Sequence, residues 1–276
     1  FTAGARSLPG AESLNYDISM NYNLFTAISG KLTENQLLLK ANIDVPFNYN
    51  RMGMNVEIHN LNYGSSAIKP NNFPLSYNLI KINPFYKLKG ENWLLKLGVK
   101  TGLSLGHGQV FTPSPDVTAQ WNAVPEYLSL YGGVTGDLTV NTLSRTYDEN
   151  RYISPGNRLE DLYTPLDAFL GIKLSPASGL MFDVWGDYQI IHNQYLYVNR
   201  SYTTSDTTVM EDIKTVYHNR FDVIYAPAGK LSAGMRLNYD YKNRFGAYVK
   251  GAYHSWKVEN QDFAWQLPVW DSDLGM

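Results

Sequence analysis

The chain has 276 residues, a formal charge of −2, 44% hydrophobic and 14% aromatic residues, and no Cys. That length suits one large β domain or two small ones, and the near-neutral balance gives no electrostatic basis for binding nucleic acid. The lack of Cys excludes a disulfide scaffold and a thiolate metal site, and no run approaches the roughly eighteen apolar residues of a transmembrane helix. A mean hydropathy of −0.30 would ordinarily indicate a soluble protein. A membrane barrel evades that test, because half of each strand faces a polar lumen. Phe1 is not an initiator Met and no charged-then-apolar leader follows, which predicts that any signal peptide is already removed or lies outside this sequence.

In chain order, Phe1 to Leu8 is a short candidate strand closed by a turn at Pro9-Gly10. Leu14, Tyr16, Ile18, Met20, Tyr22 and Leu24 then alternate with polar residues, the period of a strand with two unlike faces. The same period returns in Leu37 to Phe47, in Met52 to Ile58, and in both arms of a hairpin from Tyr77 to Ser104 that turns at Lys89-Gly90-Glu91-Asn92. Further strands are predicted around Val117 to Ala123, Leu128 to Leu138, Leu166 to Leu174, Leu180 to Ile190, Arg220 to Tyr241 with a bulge near Ala226, Phe245 to Tyr253, and Ala264 to Met276. No helix is expected. Short links near Pro9, Asn50, Gly90, Pro125, Pro176 and Asn243 alternate with longer ones at 26–35, 64–76, 105–109, 140–160, 193–219 and 257–262. Tight turns at one end and long loops at the other are the asymmetry of an outer-membrane barrel.

The fold expected is therefore all-β: an antiparallel up-and-down transmembrane β-barrel forming a single domain over 1–276. Thirteen strands are counted, and a bacterial single-chain barrel needs an even number. Either one weak strand escapes the reading or the chain stops before its closing strand, and fourteen is the expected closed count. Phe47, Tyr86, Trp93, Trp121, Tyr239 and Phe245 lie on the apolar face beside short turns, where a membrane-interface girdle of aromatic residues would sit. A soluble β-sandwich with an aromatic core is the competing architecture.

The opposite face carries charge. In the hairpin, Lys81 is expected opposite Lys100, with Lys87 and Lys96 on the same wall; like charges so placed must be hydrated, neutralised or offered to an anion. Asp17, Asp44, Asp137, Asp183 and Asp187 are expected to face the same lumen. Two readings stay open: a water-filled pore with a lysine wall and an aspartate wall, or a closed polar network in a non-conducting barrel. Catalytic signals are weak. Gly102-Leu103-Ser104-Leu105-Gly106 matches G-x-S-x-G in letters but lacks the following helix that lifts a nucleophilic serine. His59, His107, His192, His218 and His254 have no ligand-like spacing, and Asp148-Glu149-Asn150 lacks the rest of a calcium loop. No enzyme activity, cofactor or metal is predicted.

Several phrases carry a resemblance: Ser7-Leu-Pro-Gly-Ala-Glu-Ser-Leu-Asn-Tyr-Asp17, Glu126-Tyr-Leu-Ser-Leu-Tyr-Gly-Gly-Val-Thr-Gly-Asp137, Tyr152-Ile-Ser-Pro-Gly156 and Ala264-Trp-Gln-Leu-Pro268. Together they resemble the barrel portion of TonB-dependent-receptor-like outer-membrane proteins of Bacteroidota. The resemblance implies a bacterial outer-membrane location and contact with outer-membrane lipid and lipopolysaccharide. A complete transporter of that kind has about twenty-two strands and an N-terminal plug, and neither is visible here. The functions expected are a channel or transporter barrel for small polar or anionic solutes, or a non-conducting accessory or structural subunit of a larger complex. The accessory subunit would contact other outer-membrane or surface proteins through loops 140–160 and 193–219. A soluble binding module is the third alternative.

Overall fold

The computed structural model describes residues 1–8, 14–27, 32–65, 76–105, 109–153, 159–204, 214–241, 245–259 and 266–275. The turn at Pro9-Gly10, Gly106, His107, and the 154–156 and 264–265 parts of the quoted phrases lie outside the described residues. Thirteen strands form one sheet in sequence order. They are β1 (Thr2–Arg6), β2 (Asn15–Ala27), β3 (Leu32–Phe47), β4 (Asn50–Ser65), β5 (Ser76–Lys89), β6 (Trp93–Leu105) and β7 (Phe111–Val124). After them come β8 (Leu128–Thr139), β9 (Leu162–Ala177), β10 (Leu180–Thr204), β11 (Lys214–Tyr241), β12 (Phe245–Val258) and β13 (Gln266–Gly275). Each strand pairs antiparallel with its sequence neighbours, and β1 and β13 are the two edges. A single up-and-down sheet excludes the two-layer sandwich.

Exposure shows which face carries the apolar side chains. Leu170 is 69% exposed and Val249 53%, and Ile18, Met20, Leu39, Met54, Leu97, Ile172, Val184, Leu231 and Met235 stand on the same face. An apolar surface this continuous is what a protein presents to lipid, not to water. The polar face is concave. Lys81 of β5 reaches Asp137 of β8 at 2.6 Å, although three strand spacings on a flat sheet would separate them by about 14 Å. Asn83 of β5 likewise reaches Asp116 of β7 at 2.8 Å.

The structure corrects the expected hairpin register. Lys81 lies opposite Gly102, not Lys100, and the direct lysine pair is Lys87 with Lys96. The link is displaced by one residue, since the ladder begins at Lys89 and Leu94 instead of Leu88 and Trp93, with Gly90 N–H bonded to the Trp93 carbonyl at 2.9 Å. A shift of two residues preserves the faces while changing every partner. The ladder is interrupted at Asn83-Pro84 against β6 and at Asp116-Val117 against β6, each beside a proline in mid-strand. Proline has no N–H for a ladder bond.

Three predicted loops also change. Strands continue through most of 26–35, and β10 and β11 extend far into 193–219, leaving only 205–213 outside the described residues. Their Thr, Ser and Tyr content, read as loop chemistry, is equally the composition of a strand. The segment 140–160 contains a helix, α1 (Leu143–Glu149), where none was expected. Thr142 caps it, its hydroxyl accepting from Arg145 N–H. A single two-turn element has too few residues to show helical periodicity. The bulge expected near Ala226 lies instead on the partner strand: between the pairs Ile191–Ala228 and Gln194–Ala226, two residues of β10 oppose one of β11, and Asn193 takes a positive φ of 59°.

Candidate functional site: the inner wall and the strap across its mouth

Alternating charges cross β3 to β5 on the concave face. Lys40, Glu57 and Lys81 occupy one cross-strand row, with Lys40 3.1 Å and Lys81 3.7 Å from the Glu57 carboxylate. Lys81 completes its pairing with Asp137. His59 Nε2 also lies 3.4 Å from Glu57.

Nearer the short turns, Asp44 accepts from Arg51 and from Lys87, the latter at 3.3 Å. Lys96 pairs with Asp116, whose carboxylate also accepts from Asn83. The two facing lysines share one aromatic ring: Lys87 and Lys96 ammonium groups lie 4.7 and 5.1 Å from the centre of Phe85. Their repulsion is therefore relieved twice, by separate carboxylates and by a common π face. Phe85 has room to lie there because Gly53 opposite it has no side chain.

Lys100 differs from the other three hairpin lysines. Its ammonium donates to Thr135 Oγ1 at 2.9 Å and to the Gly136 carbonyl at 3.0 Å, neutral acceptors, and it attracts Asp116 and Asp167 only from a distance, without a salt bridge among the described residues. Asp183 accepts from Tyr131 OH at 2.8 Å, two strands away, the Tyr131 ring lying over Gly171. Asp17 stands exposed in a row with Arg6 and Asn42. Asp187 faces Ser232 across β10 and β11. The concave face thus brings Lys81 to Asp137, Lys87 to Asp44 and Lys96 to Asp116. Lys100, Asp17, Asp183 and Asp187 remain outside these pairs.

Several residues of the network escaped the sequence reading. Asp116 follows a mid-strand proline and sits in phase with Thr118 and Gln120, so strict alternation from Trp121 would have placed it on the inner face. Glu34 lies in the expected loop 26–35, and Asp161 lies between the expected loop 140–160 and the strand from Leu166, so neither gave such a signal.

The described residues of the segment, 140–153 and 159–161, form a strap across the long-loop end of the concave face. Glu34 of β3, 1% exposed, receives Leu143 N–H at 2.6 Å, with Ser144 N–H at 3.4 Å and Ser144 Oγ at 3.2 Å. A carboxylate at a helix N-terminus satisfies amides that have no partner within the helix. Tyr77 of β5 donates to Asp161, and Glu160 N–H donates to Tyr225 of β11 at 2.9 Å. At the far end of α1, Glu149 accepts from Tyr195 and Tyr197 of β10 at 2.7 and 2.9 Å, and from Arg145 at 3.1 Å. Burial opposes ionisation of Glu149, but these hydrogen bonds outweigh it and hold the carboxyl below its ordinary range.

Two apolar clusters seat the strap. Leu143, Tyr147 and Leu159 pack with Ala27 and Leu32, while Leu61, Tyr77, Leu79, Leu138 and Tyr163 form the second. Leu138, expected on the lipid face, is buried here because a register shift between Thr135 and Asp137 turns the end of β8.

The proposed girdle residues share one end of the sheet. Trp93 faces Trp121 directly across β6 and β7, and Phe47 meets Tyr86 edge-on with ring centres 6.4 Å apart. Tyr239 and Phe245 flank the β11–β12 link and are exposed on the apolar face. Ser104 of the G-x-S-x-G match lies buried within β6. Among the described residues no group of three or more His, Cys, Asp or Glu side chains could hold a metal ion.

No family model and no curated protein matches this sequence. Among solved structures, 98% of the chain superposes on 54% of the siderophore receptor PirA from Pseudomonas aeruginosa, with a TM-score of 0.54 and 9% identity. On the outer membrane transporter YddB from Escherichia coli, 89% of the chain covers 40% of that protein, with a TM-score of 0.52 and 12% identity. The chain spans about half the length of these structures or less. At such identity the likeness is one of backbone architecture, and it establishes that the chain has the fold of an outer-membrane β-barrel wall.

Proposed function

We propose that the chain forms the barrel wall of a transporter or receptor in the bacterial outer membrane, with a charged inner face that passes or binds small polar solutes and a strap that shuts the long-loop end. The strap is the observation that carries this reading. A permanently open pore has no use for a segment anchored on β3 and β5 at one side and on β10 and β11 at the other. Compensation of Lys81, Lys87 and Lys96 by aspartates argues against an anion-selective lysine wall and leaves Lys100, which makes no salt bridge among the described residues, as the hairpin lysine most available to a solute. The lipid-facing apolar band and the aromatic residues near the short turns support an outer-membrane site, with lipid and lipopolysaccharide around it.

Single-channel recording in planar bilayers tests the closure. The wild-type protein is expected to stay silent, and Glu34→Ala combined with Glu149→Ala is expected to give discrete conductance steps. Equal steady conductance from both proteins would establish an open pore. Silence from both would favour the second reading, a non-conducting accessory subunit, which the same inward-packed strap also suits. Heat-modifiable gel mobility, retained in the variant, shows that the wall itself is intact.

A further inference from the structure

The inner wall is unevenly neutralised. From β3 to β8, most acidic side chains have a cationic partner. On β9 to β11 three buried oxygens at neighbouring inner-face positions make no ion pair among the described residues, although Lys230 and Lys100 attract Asp167 from a distance. Asp187 lies directly opposite Ser232, and Asp167 lies opposite Gln189, which places it diagonal to Asp187. Asp167 Oδ1, Asp187 Oδ2 and Ser232 Oγ are withdrawn from solvent and have no hydrogen-bond partner among the described residues. Ser232 is 2% exposed, so its hydroxyl is held in place rather than free to turn to bulk water. Asp167 Oδ2 is already occupied by Gln189, at 3.1 Å.

We infer that Asp167, Asp187 and Ser232 form a binding site for a primary ammonium group carried by a solute in the lumen. An ammonium offers three N–H donors and no acceptor, which matches three unfilled acceptor oxygens. Leaving them unfilled costs the desolvation of each, and two of them belong to carboxylates that repel one another as diagonal neighbours. A single positive charge relieves both defects. A divalent metal fits less well, because the described residues provide no third His, Cys, Asp or Glu ligand. Trp185 and Trp256 share this face with the site, in register with Gly234 and Lys230, and give an alkylammonium an apolar flank.

Rival cationic groups on this face include His254, directly opposite Ser232, and Lys230. Lys230 stands opposite Gln189 and attracts Asp167 from a distance, but its ammonium lies over the Trp256 ring, 5.2 Å from the centre, and makes no salt bridge among the described residues. The site depends on the inward orientation of this wall and not on transport, so it can be tested whether or not the barrel conducts.

The probe is ethylammonium chloride, titrated into detergent-solubilised protein while tryptophan fluorescence is followed, with sodium chloride and tetramethylammonium chloride at matched ionic strength. A saturable response to ethylammonium alone is expected. Asp187→Asn and Ser232→Ala should each weaken it by about tenfold, the loss of one good charge-assisted contact. Asp183→Asn, whose carboxylate is held by Tyr131, should leave it unchanged. The inference is overturned if wild-type protein gives no saturable response, if tetramethylammonium acts equally well, or if both site variants bind as wild type. It is also overturned if only Lys230→Met binds the probe, since Lys230 would then fill the site itself. Ser232→Ala removes a single oxygen and keeps the test decisive should Asp187→Asn fail to fold.

Discussion

At the scale of single residues, burial decides which of the inner-wall ion pairs matter. Asp116 is almost fully enclosed, whereas Lys87 is more than a third exposed. Removing Lys96 leaves a buried carboxylate with Asn83 as its hydrogen-bond partner among the described residues and Lys100 at a distance, so Lys96→Ala is expected to lower stability by about 3 kcal/mol. Lys87→Ala should cost less than about 1 kcal/mol, because Arg51 still holds Asp44 and the lost pair is solvated. Urea titration of protein folded into lipid vesicles measures both. Glu149 gives a prediction in pH. Its folded value lies below the unfolded value, which is near 4.3, so its contacts add stability above that range. The contribution is lost as pH falls through the lowered folded value. Amide exchange in the strap, corrected for intrinsic rates, should therefore rise on acidification in wild type, and this rise should be blunted in Glu149→Gln.

At the scale of elements, the turns fix the register and the strap depends on its cap. Gly179 closes the β9–β10 link at φ 79°, and a Cβ there would strike the Asp240 carbonyl. Gly179→Val adds both left-handed backbone strain and that collision, at a cost of about 2 kcal/mol or more, readable as a lower urea midpoint. Glu34→Ala removes the acceptor for the first α1 amides, worth about 1 kcal/mol by analogy with helix caps. Proteolysis within 140–161 should become faster while the strands stay protected. Strand identity was legible in the sequence wherever the apolar phase ran unbroken, as from Leu14 to Leu24. It failed at the ends of β10 and β11, where Thr and Tyr carry no phase, and at α1, whose seven residues hold too few turns to declare a period. Register was illegible at the β5–β6 hairpin because four link residues fit two turn geometries that leave the faces unchanged. Of the inner-wall residues, the lysines and five aspartates could be placed by alternation. Their partners could not, because curvature pairs β5 with β7 and β8, strands that a linear reading keeps apart.

At the scale of the molecule, the outward apolar band sets how the chain meets its surroundings. Leu170 and Val249 lie in its most exposed part, and arginine at either position is expected to cost about 2–4 kcal/mol in a bilayer if it lies near the midplane, and less toward either rim. Vesicle refolding yields for Leu170→Arg, against Lys173→Arg on the inner face, measure this. Every pairing in the sheet joins strands adjacent in sequence, so hairpins can add one after another without waiting for distant chain. The Glu34 contact is of another kind: it joins residues 109 positions apart and cannot form until β8 has been laid down and the chain has turned back over β3. The other end of the strap must wait for Tyr195, Tyr197 and Tyr225 on β10 and β11, so closure of the mouth is a late event of a growing wall rather than part of its nucleus. Evolution can retune the strap without slowing the assembly that precedes it.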